Sequence, residues 1–331
     1  EVADLQLVAG FQFPLRDPLP VDANPVGAAQ VDQYPHGIGT FATQNTTYAG
    51  SSTIGEIQGR FEDENISPEA TITWRPDSNH TVFLAYKTGY KSGGFGLTSP
   101  FQTTTVIGDI DFSPESASGF EAGAKGLFAD GRIRANVAAF AYRFEDLQVN
   151  TYDPSRIAYT INNAGEVQQR GVEADGTWQA TDGLQLRGAI AYVDAQFKDF
   201  VGQCYSYAFP TGTVRATAVA PANCSFVNAT ALTLQQDFEG RAPARAPQWS
   251  GSAGFTYETQ IAGFGVAVTG DGFYSDSYYA SETMAPATLQ EAFWRYNAGV
   301  TVTSPALRSN NLTSSSSSSF LMATESVGCE T

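Results

Sequence analysis

The stretch Phe120-Glu121-Ala122-Gly123-Ala124-Lys125-Gly126-Leu127-Phe128, followed by Ala129-Asp130-Gly131 and then Arg132-Ile133-Arg134-Ala135-Asn136-Val137, decides the fold. Successive side chains of a β-strand point to opposite faces, so residues two apart share a face. Phe120, Ala122, Ala124 and Phe128 therefore oppose Glu121, Gly123 and Lys125, while Ile133, Ala135 and Val137 oppose Arg132, Arg134 and Asn136. An Asp-Gly reversal joins the two runs, as a tight hairpin requires. One face of this hairpin is apolar. The other carries Glu121, Lys125 and Arg134, charges too costly to bury dry and unpaired.

The same period recurs along the chain and predicts ten strands. The apolar sets are Leu5 to Phe13, Ala70 to Trp74, Val82 to Tyr90, the two above, Val172 to Trp178, Leu184 to Tyr192, Trp249 to Tyr257, Phe264 to Val268, and Trp294 to Val302. Beyond Ala138 the alternation blurs, as it would at a bulge. Four connections are short, at Pro76 to Asn79, Ala129 to Gly131, Ala180 to Gly183 and Ile261 to Gly263. They alternate with long ones, at Pro14 to Ser67, Ser92 to Ser118, Glu145 to Arg170, Asp194 to Pro247 and Ser275 to Ala292, which a meander gathers at one end. Alternating short and long connections, with Glu121, Lys125, Arg134, Glu173, Asp175, Arg187 and Arg295 on one shared face, suit the wet lumen of an all-β, antiparallel, up-and-down transmembrane barrel. The expected product is a partial barrel of about ten strands belonging to a larger one.

Composition narrows the partners. The chain has 331 residues, a formal net charge of −16 and only four lysines among its cations, so no basic stripe is present to neutralise phosphates and nucleic acid is excluded as a partner. Charged residues are 16% of the chain, against about 25% in ordinary globular domains. The chain holds no apolar run of the ~18 residues that a membrane helix needs. Two other readings fit the alternation. A passive outer-membrane pore would pair residues 4–13 with residues 293–303, and a soluble secreted carbohydrate-binding β-domain would bury the apolar face.

Catalytic and cofactor patterns are absent: there is no nucleophile elbow, P-loop, zinc-helix motif or dinucleotide fingerprint, so neither an enzyme nor a cofactor or metal site is expected. His36 and His80 fall in a loop and beside a turn. Cys204 and Cys224 share one long connection, and in an oxidising compartment they are expected to form a disulfide closing about twenty residues. Cys329 stands alone.

Specific words then add a resemblance. Ser67-Pro68-Glu69-Ala70-Thr71, the run Ala85-Tyr86-Lys87-Thr88-Gly89-Tyr90-Lys91-Ser92-Gly93-Gly94-Phe95, and Phe120-Glu121-Ala122-Gly123-Ala124-Lys125 come in that order. They are followed by Asp146-Leu147-Gln148-Val149, Asn163-Ala164-Gly165, Arg170-Gly171-Val172-Glu173-Ala174 and Ala246-Pro247-Gln248-Trp249-Ser250. Together they resemble the C-terminal barrel of TonB-dependent outer-membrane receptors. That resemblance implies a portion of a barrel of about twenty-two strands closed by an N-terminal plug. It further implies a location in the outer membrane of a Gram-negative bacterium, contact with outer-membrane lipid, and import of a scarce small nutrient such as a siderophore–iron complex, energised by the TonB complex acting on the plug. Neither plug nor TonB box is recognisable here, so residues 1–303 read as the partial barrel and residues 304–331 as a low-complexity tail without a strand. In the family the carboxylates matching Glu121 and Glu173 face the lumen and dock plug arginines; neighbouring barrel cations such as Lys125 or Arg187 are the alternative partners. Substrate capture would fall to Tyr90, Lys91, Phe95, Tyr205 and Tyr207.

Overall fold

The computed structural model describes residues 4–12, 61, 63–96, 105–153, 158–303, 318–322 and 326–328. Ten strands form one antiparallel meander: β1 (Asp4–Gln12), β2 (Ser67–Arg75), β3 (His80–Lys91), β4 (Glu115–Phe128), β5 (Ile133–Asp153), β6 (Ala158–Gln179), β7 (Leu184–Asp199), β8 (Trp249–Ile261), β9 (Phe264–Ser275) and β10 (Phe293–Thr303). Each pairs with its sequence neighbours, so the topology is up-and-down throughout. The reversals are built from backbone that only some residues adopt readily. Ala262 and Gly263 both have positive φ, 51° and 84°, which gives the two-residue hairpin joining β8 to β9 the twist its strands require. In the β2–β3 turn, hydrogen bonds from the His80 ring (2.8 Å) and the Asn79 amide (2.7 Å) hold the Asp77 carboxyl below the usual carboxylate range.

The two faces of the sheet are inverted relative to a water-soluble protein. Ile72, Leu84, Phe120, Val137, Ile190 and Phe255 stand exposed, Phe120 at 58%. The intervening Thr71, Thr73, Phe83, Ala85, Asn136 and Ala138 are half-buried or buried. An apolar face turned outward across nine strands, with the charges gathered on the opposite, inner face where Lys125, Arg134, Glu173, Asp175, Arg187 and Arg295 stay open to water, is what a solvent of lipid selects; that inner face is the one the closed barrel would enclose. Inside the enclosed face, glycines let strand backbones lie under aromatic rings. A Cβ on Gly123 would lie 2.5 Å from the ring of Phe83, its cross-strand partner, and one on Gly171 would lie 2.6 Å from the ring of Phe140.

Several expectations are corrected. The segment from Glu145 to Arg170 is not a loop: β5 and β6 run on as a hairpin of 21 and 22 residues, paired from Ile133↔Trp178 to Asp153↔Ala158. Nor does β5 bulge beyond Ala138, since its register against β6 is unbroken there. What changes is the code, because Phe140, Tyr142 and Phe144 occupy the enclosed face while Ala139 and Ala141 occupy the outer one. The irregularity lies instead between β6 and β7, at Glu166 and Val167. The tail is not strandless either: β11 (Ser318–Met322) and β12 (Ser326–Gly328) pair with β10. Backbone ladders are indifferent to a serine-rich sequence wherever an unpaired edge is available. The pairing of residues 4–13 with residues 293–303 that a ten-strand pore needs is not formed, as β1 pairs with β2 and β10 with β9 and the tail. Outside the described residues lie His36, Cys329 and most of the first long connection.

Among the described residues the barrel wall has no dry core of its own. The buried cluster among the described residues sits at the long-connection end, where Ala164, Val167, Phe197, Phe200, Phe238 and Met284 pack together. Two outcomes are expected from these faces. Val137→Lys, on the outer face, costs about 2–4 kcal/mol in refolding into phospholipid vesicles, whereas Asn136→Lys, one residue away but facing Asp175, refolds as the parent does. Gly123→Val, which must displace Phe83, lowers stability in a urea titration by about 1–3 kcal/mol.

Candidate functional site

The enclosed face carries a ladder of polar contacts that crosses the sheet from strand to strand. Lys87 of β3 donates to Glu121 of β4 at 2.8 Å, and the Tyr142 hydroxyl of β5 donates to the same Glu121 oxygen at 3.3 Å. Asn136 of β5 donates to Asp175 of β6 at 2.8 Å. Farther along, Arg187 of β7 reaches Thr256 of β8 at 3.1 Å and Asp271 of β9 at 3.5 Å, and Asn297 of β10 donates to that Asp271 at 2.8 Å. Lys125 lies over the Phe83 ring and Arg295 over the Phe273 ring. Every polar residue assigned to this face by alternation thus has the parity of the strands that carry it.

The two carboxylates singled out in the sequence differ. Glu121 is paired, with Lys87 rather than with Lys125. The register explains the choice: Ala85 lies opposite Glu121, which puts Lys87 on the adjacent diagonal, whereas Lys125 is four residues farther along β4 itself. Glu173, opposite Ala138 and Ala191, has no hydrogen-bond or ion-pair partner among the described residues. Tyr142 is a member of this group that sequence reasoning missed, because its aromatic ring on a polar face hid its phase.

At the long-connection end, the segment between β7 and β8 folds on itself. Val201–Gln203, Cys224–Phe226 and Leu234–Asp237 make a small antiparallel sheet, and Cys204 and Cys224 are joined by a disulfide with their Cα atoms 5.8 Å apart. Gln236, fully buried, ties this unit to the β9–β10 connection: with its amide assigned in the orientation that satisfies both ends, the oxygen accepts from Arg241 at 2.9 Å and the nitrogen donates to the Thr283 carbonyl at 3.3 Å. Arg245 adds a backbone bond to Tyr279 and a guanidinium bond to the Ala280 carbonyl. The two connections therefore form one docked body over the aromatic cluster of Phe197, Phe200 and Phe238.

The five residues expected from the sequence to capture substrate fall into two groups that share no hydrogen bond or ring contact among the described residues. Tyr90 and Lys91 are strand residues at the end of β3, opposite Ser116 and Glu115, and the Tyr90 hydroxyl is buried without a hydrogen-bond partner. Phe95 lies in a two-residue strand paired with Asp111–Phe112 and meets Phe61 edge-on. Tyr205 donates to the Ala222 carbonyl at 3.1 Å, and the exposed Tyr207 packs edge-on against Phe209. Phe209 in turn stacks on Phe226, whose other neighbour is the Arg215 guanidinium, 3.6 Å from the ring centre. Arg215 and Phe209 escaped sequence reasoning. Their only signal was position inside the loop that Cys204 and Cys224 close.

Comparison with known proteins now bears on this arrangement. An 85-residue segment is 40% identical to the metal-pseudopaline receptor CntO of Pseudomonas aeruginosa, over 26% of this chain and 12% of that receptor. In structure, the chain is similar to the ferric yersiniabactin uptake receptor FyuA from Yersinia pestis, with a TM-score of 0.53 at 14% identity over 74% of this chain and 31% of FyuA. It is also similar to the siderophore receptor PiuA from Acinetobacter baumannii, with a TM-score of 0.52 at 19% identity over 79% of this chain and 32% of PiuA. The chain thus spans less than a third of either receptor, and these likenesses establish its fold. The family described as TonB dependent receptor-like, beta-barrel, matches residues 24–313. An open meander with an apolar outer face, a polar inner ladder and its long connections at one end is a wall of that barrel, and the protein belongs to the TonB-dependent receptor-like β-barrel family.

Proposed function

We propose that this chain is part of the barrel of an outer-membrane receptor that captures a scarce metal chelate of the siderophore class and imports it with energy delivered by the TonB complex. The observation that carries the reading is the inverted sheet, apolar outside and polar within, matched to the family over residues 24–313. The likeness to the Pseudomonas metal-pseudopaline receptor favours a metal chelate over a sugar as the cargo class. The mechanism is binding and gating, without covalent chemistry.

In this reading the chain's own residues have two tasks. Glu173, which has no partner among the described residues, supplies a carboxylate for a plug arginine, and Glu121, held by Lys87, supplies a second that must exchange or share its cation. A charge-assisted contact of this kind is worth about 1.5–3 kcal/mol, enough to seat a plug and weak enough to release it. Capture falls to Lys91, Phe95, Tyr205 and Tyr207, with Tyr90 packed beneath and the disulfide holding the Tyr205–Tyr207 segment in place.

The deciding measurement is uptake of a radiolabelled metal chelate by metal-starved cells that express the full-length receptor. Uptake is expected to stop when the proton gradient is collapsed while surface binding persists; uptake that continues without the gradient would mean a passive pore and would overturn the reading. Glu173→Gln is expected to slow uptake without weakening surface binding. Cys204→Ser with Cys224→Ser, which removes about 3 kcal/mol of loop constraint, is expected to weaken surface binding instead.

A further inference from the structure

The β5–β6 hairpin continues past the last pairing of β4 with β5, Ser116↔Glu145, and there its side chains exchange faces. Phe144 packs on the cluster of Phe197, Phe200, Phe238 and Met284, and so do Leu147 and Val149, which have the opposite parity. On β6 the same cluster takes both Val167 and Ala164. The phase turns at the Asp146–Gly165 step, which the ladder skips: Asp146 has a φ of 54°, and a Cβ on Gly165 would run into the Asp199 carbonyl. With Leu147, Val149 and Ala164 turned to the body formed by the β7–β8 and β9–β10 connections, the cross-strand pair Gln148 and Asn163 is turned the other way.

That pair holds the β3–β4 connection. Asn163 treats Ser113 as a strand partner would: its Oδ1 accepts from the Ser113 amide at 2.8 Å, and its Nδ2 donates to the Ser113 carbonyl at 2.9 Å and to the Asp146 carbonyl at 2.7 Å. The Gln148 Nε2 donates to the carbonyls of Ser92 and Ser113, both at 3.0 Å, while its backbone N–H donates to Glu115 at 2.9 Å. Both ends of the connection, Ser92 after β3 and Ser113 before β4, therefore meet on one side chain. Tyr90 and Lys91 immediately precede Ser92, and Phe95 lies between the two clasped serines, paired with Asp111. Three carbonyls and one N–H call for neutral amides, because a carboxylate could not donate and an ammonium could not accept. Capture and plug docking leave both amides without a task.

We infer that Gln148 and Asn163 are positioning residues for capture. The hairpin stands as a partition: one face clasps the connection that bears Tyr90, Lys91 and Phe95, and the other packs on the disulfide-linked body that bears Tyr205 and Tyr207. Two groups that share no hydrogen bond or ring contact among the described residues are thereby held in one geometry. A binding surface assembled from separate connections gains affinity when their relative placement is fixed beforehand, since the ordering cost then falls on folding and not on binding. The inference rests on the capture reading above.

The test uses the full-length receptor carrying Gln148→Glu with Asn163→Asp, which keep the shapes but cannot donate when ionised, beside Gln148→Leu with Asn163→Leu. Amide exchange in detergent, read by mass spectrometry on the peptide containing Ser113, is expected to quicken about tenfold in both, while peptides from residues 201–237 exchange as in the parent. Uptake is then followed in metal-starved cells supplied with spent medium of the source bacterium, loaded in turn with radioactive iron, nickel and zinc. The half-saturating concentration is expected to rise about tenfold with the maximal rate unchanged. Unchanged exchange at Ser113, a fall in maximal rate alone, or an isosteric pair that behaves as the parent overturns the inference while the parent's uptake keeps the receptor reading. If the parent itself takes up no metal although exchange responds as expected, the capture reading falls and the positioning role falls with it.

Discussion

Hydrocarbon offers nothing for a backbone N–H or C=O to bond, and that single constraint organises this protein. Each strand must satisfy its neighbours on both sides, so the chain runs as a meander in which sequence neighbours are also ladder neighbours. Short reversals at one end cost little and keep the registers in step. The demand extends past the last regular strand, since the edge of β10 is covered by two short segments of a serine-rich tail whose side chains contribute nothing to the choice. Pairing comes first, and side-chain chemistry then assigns the faces.

With the backbone paired, the faces divide the remaining work. The outer face gains by meeting lipid, so large apolar residues stand exposed where a soluble protein would bury them. The inner face tolerates charge because cross-strand partners lie on adjacent diagonals, as with Lys87, Glu121 and Tyr142 or with Arg187, Asp271 and Asn297. Partly exposed pairs of this kind contribute modestly to stability. Their value lies in presenting a polar, adjustable wall. Among the described residues the dry cluster lies at the long-connection end, where Phe197, Phe200, Phe238 and Met284 pack the connections into one body.

Much of this was legible in the residues because period two is a local property. All ten strands, their order and the shared face of Glu121, Lys125, Arg134, Glu173, Asp175, Arg187 and Arg295 follow from alternation alone, without knowledge of any partner strand. Where the alternation lost its contrast, reading failed. Phe140, Tyr142 and Phe144 placed aromatics on the polar face and imitated a bulge where the register holds, and the mixed stretch from Glu145 to Arg170 looked like a loop although β5 and β6 continue through it, paired as far as Asp153↔Ala158.

The sequence by itself determined the class of fold, the inversion of its faces and the end at which the connections gather, since each depends on side chains a few residues apart. Only the tertiary structure decided which cation meets Glu121, that Glu173 has none among the described residues, that Gln236 bridges two connections, and that Arg143 and Arg170 pair with Glu166 and Asp194 on the outer face. These depend on register, the relative sliding of strands distant in sequence. A shift of one residue would preserve every local pattern and exchange every partner.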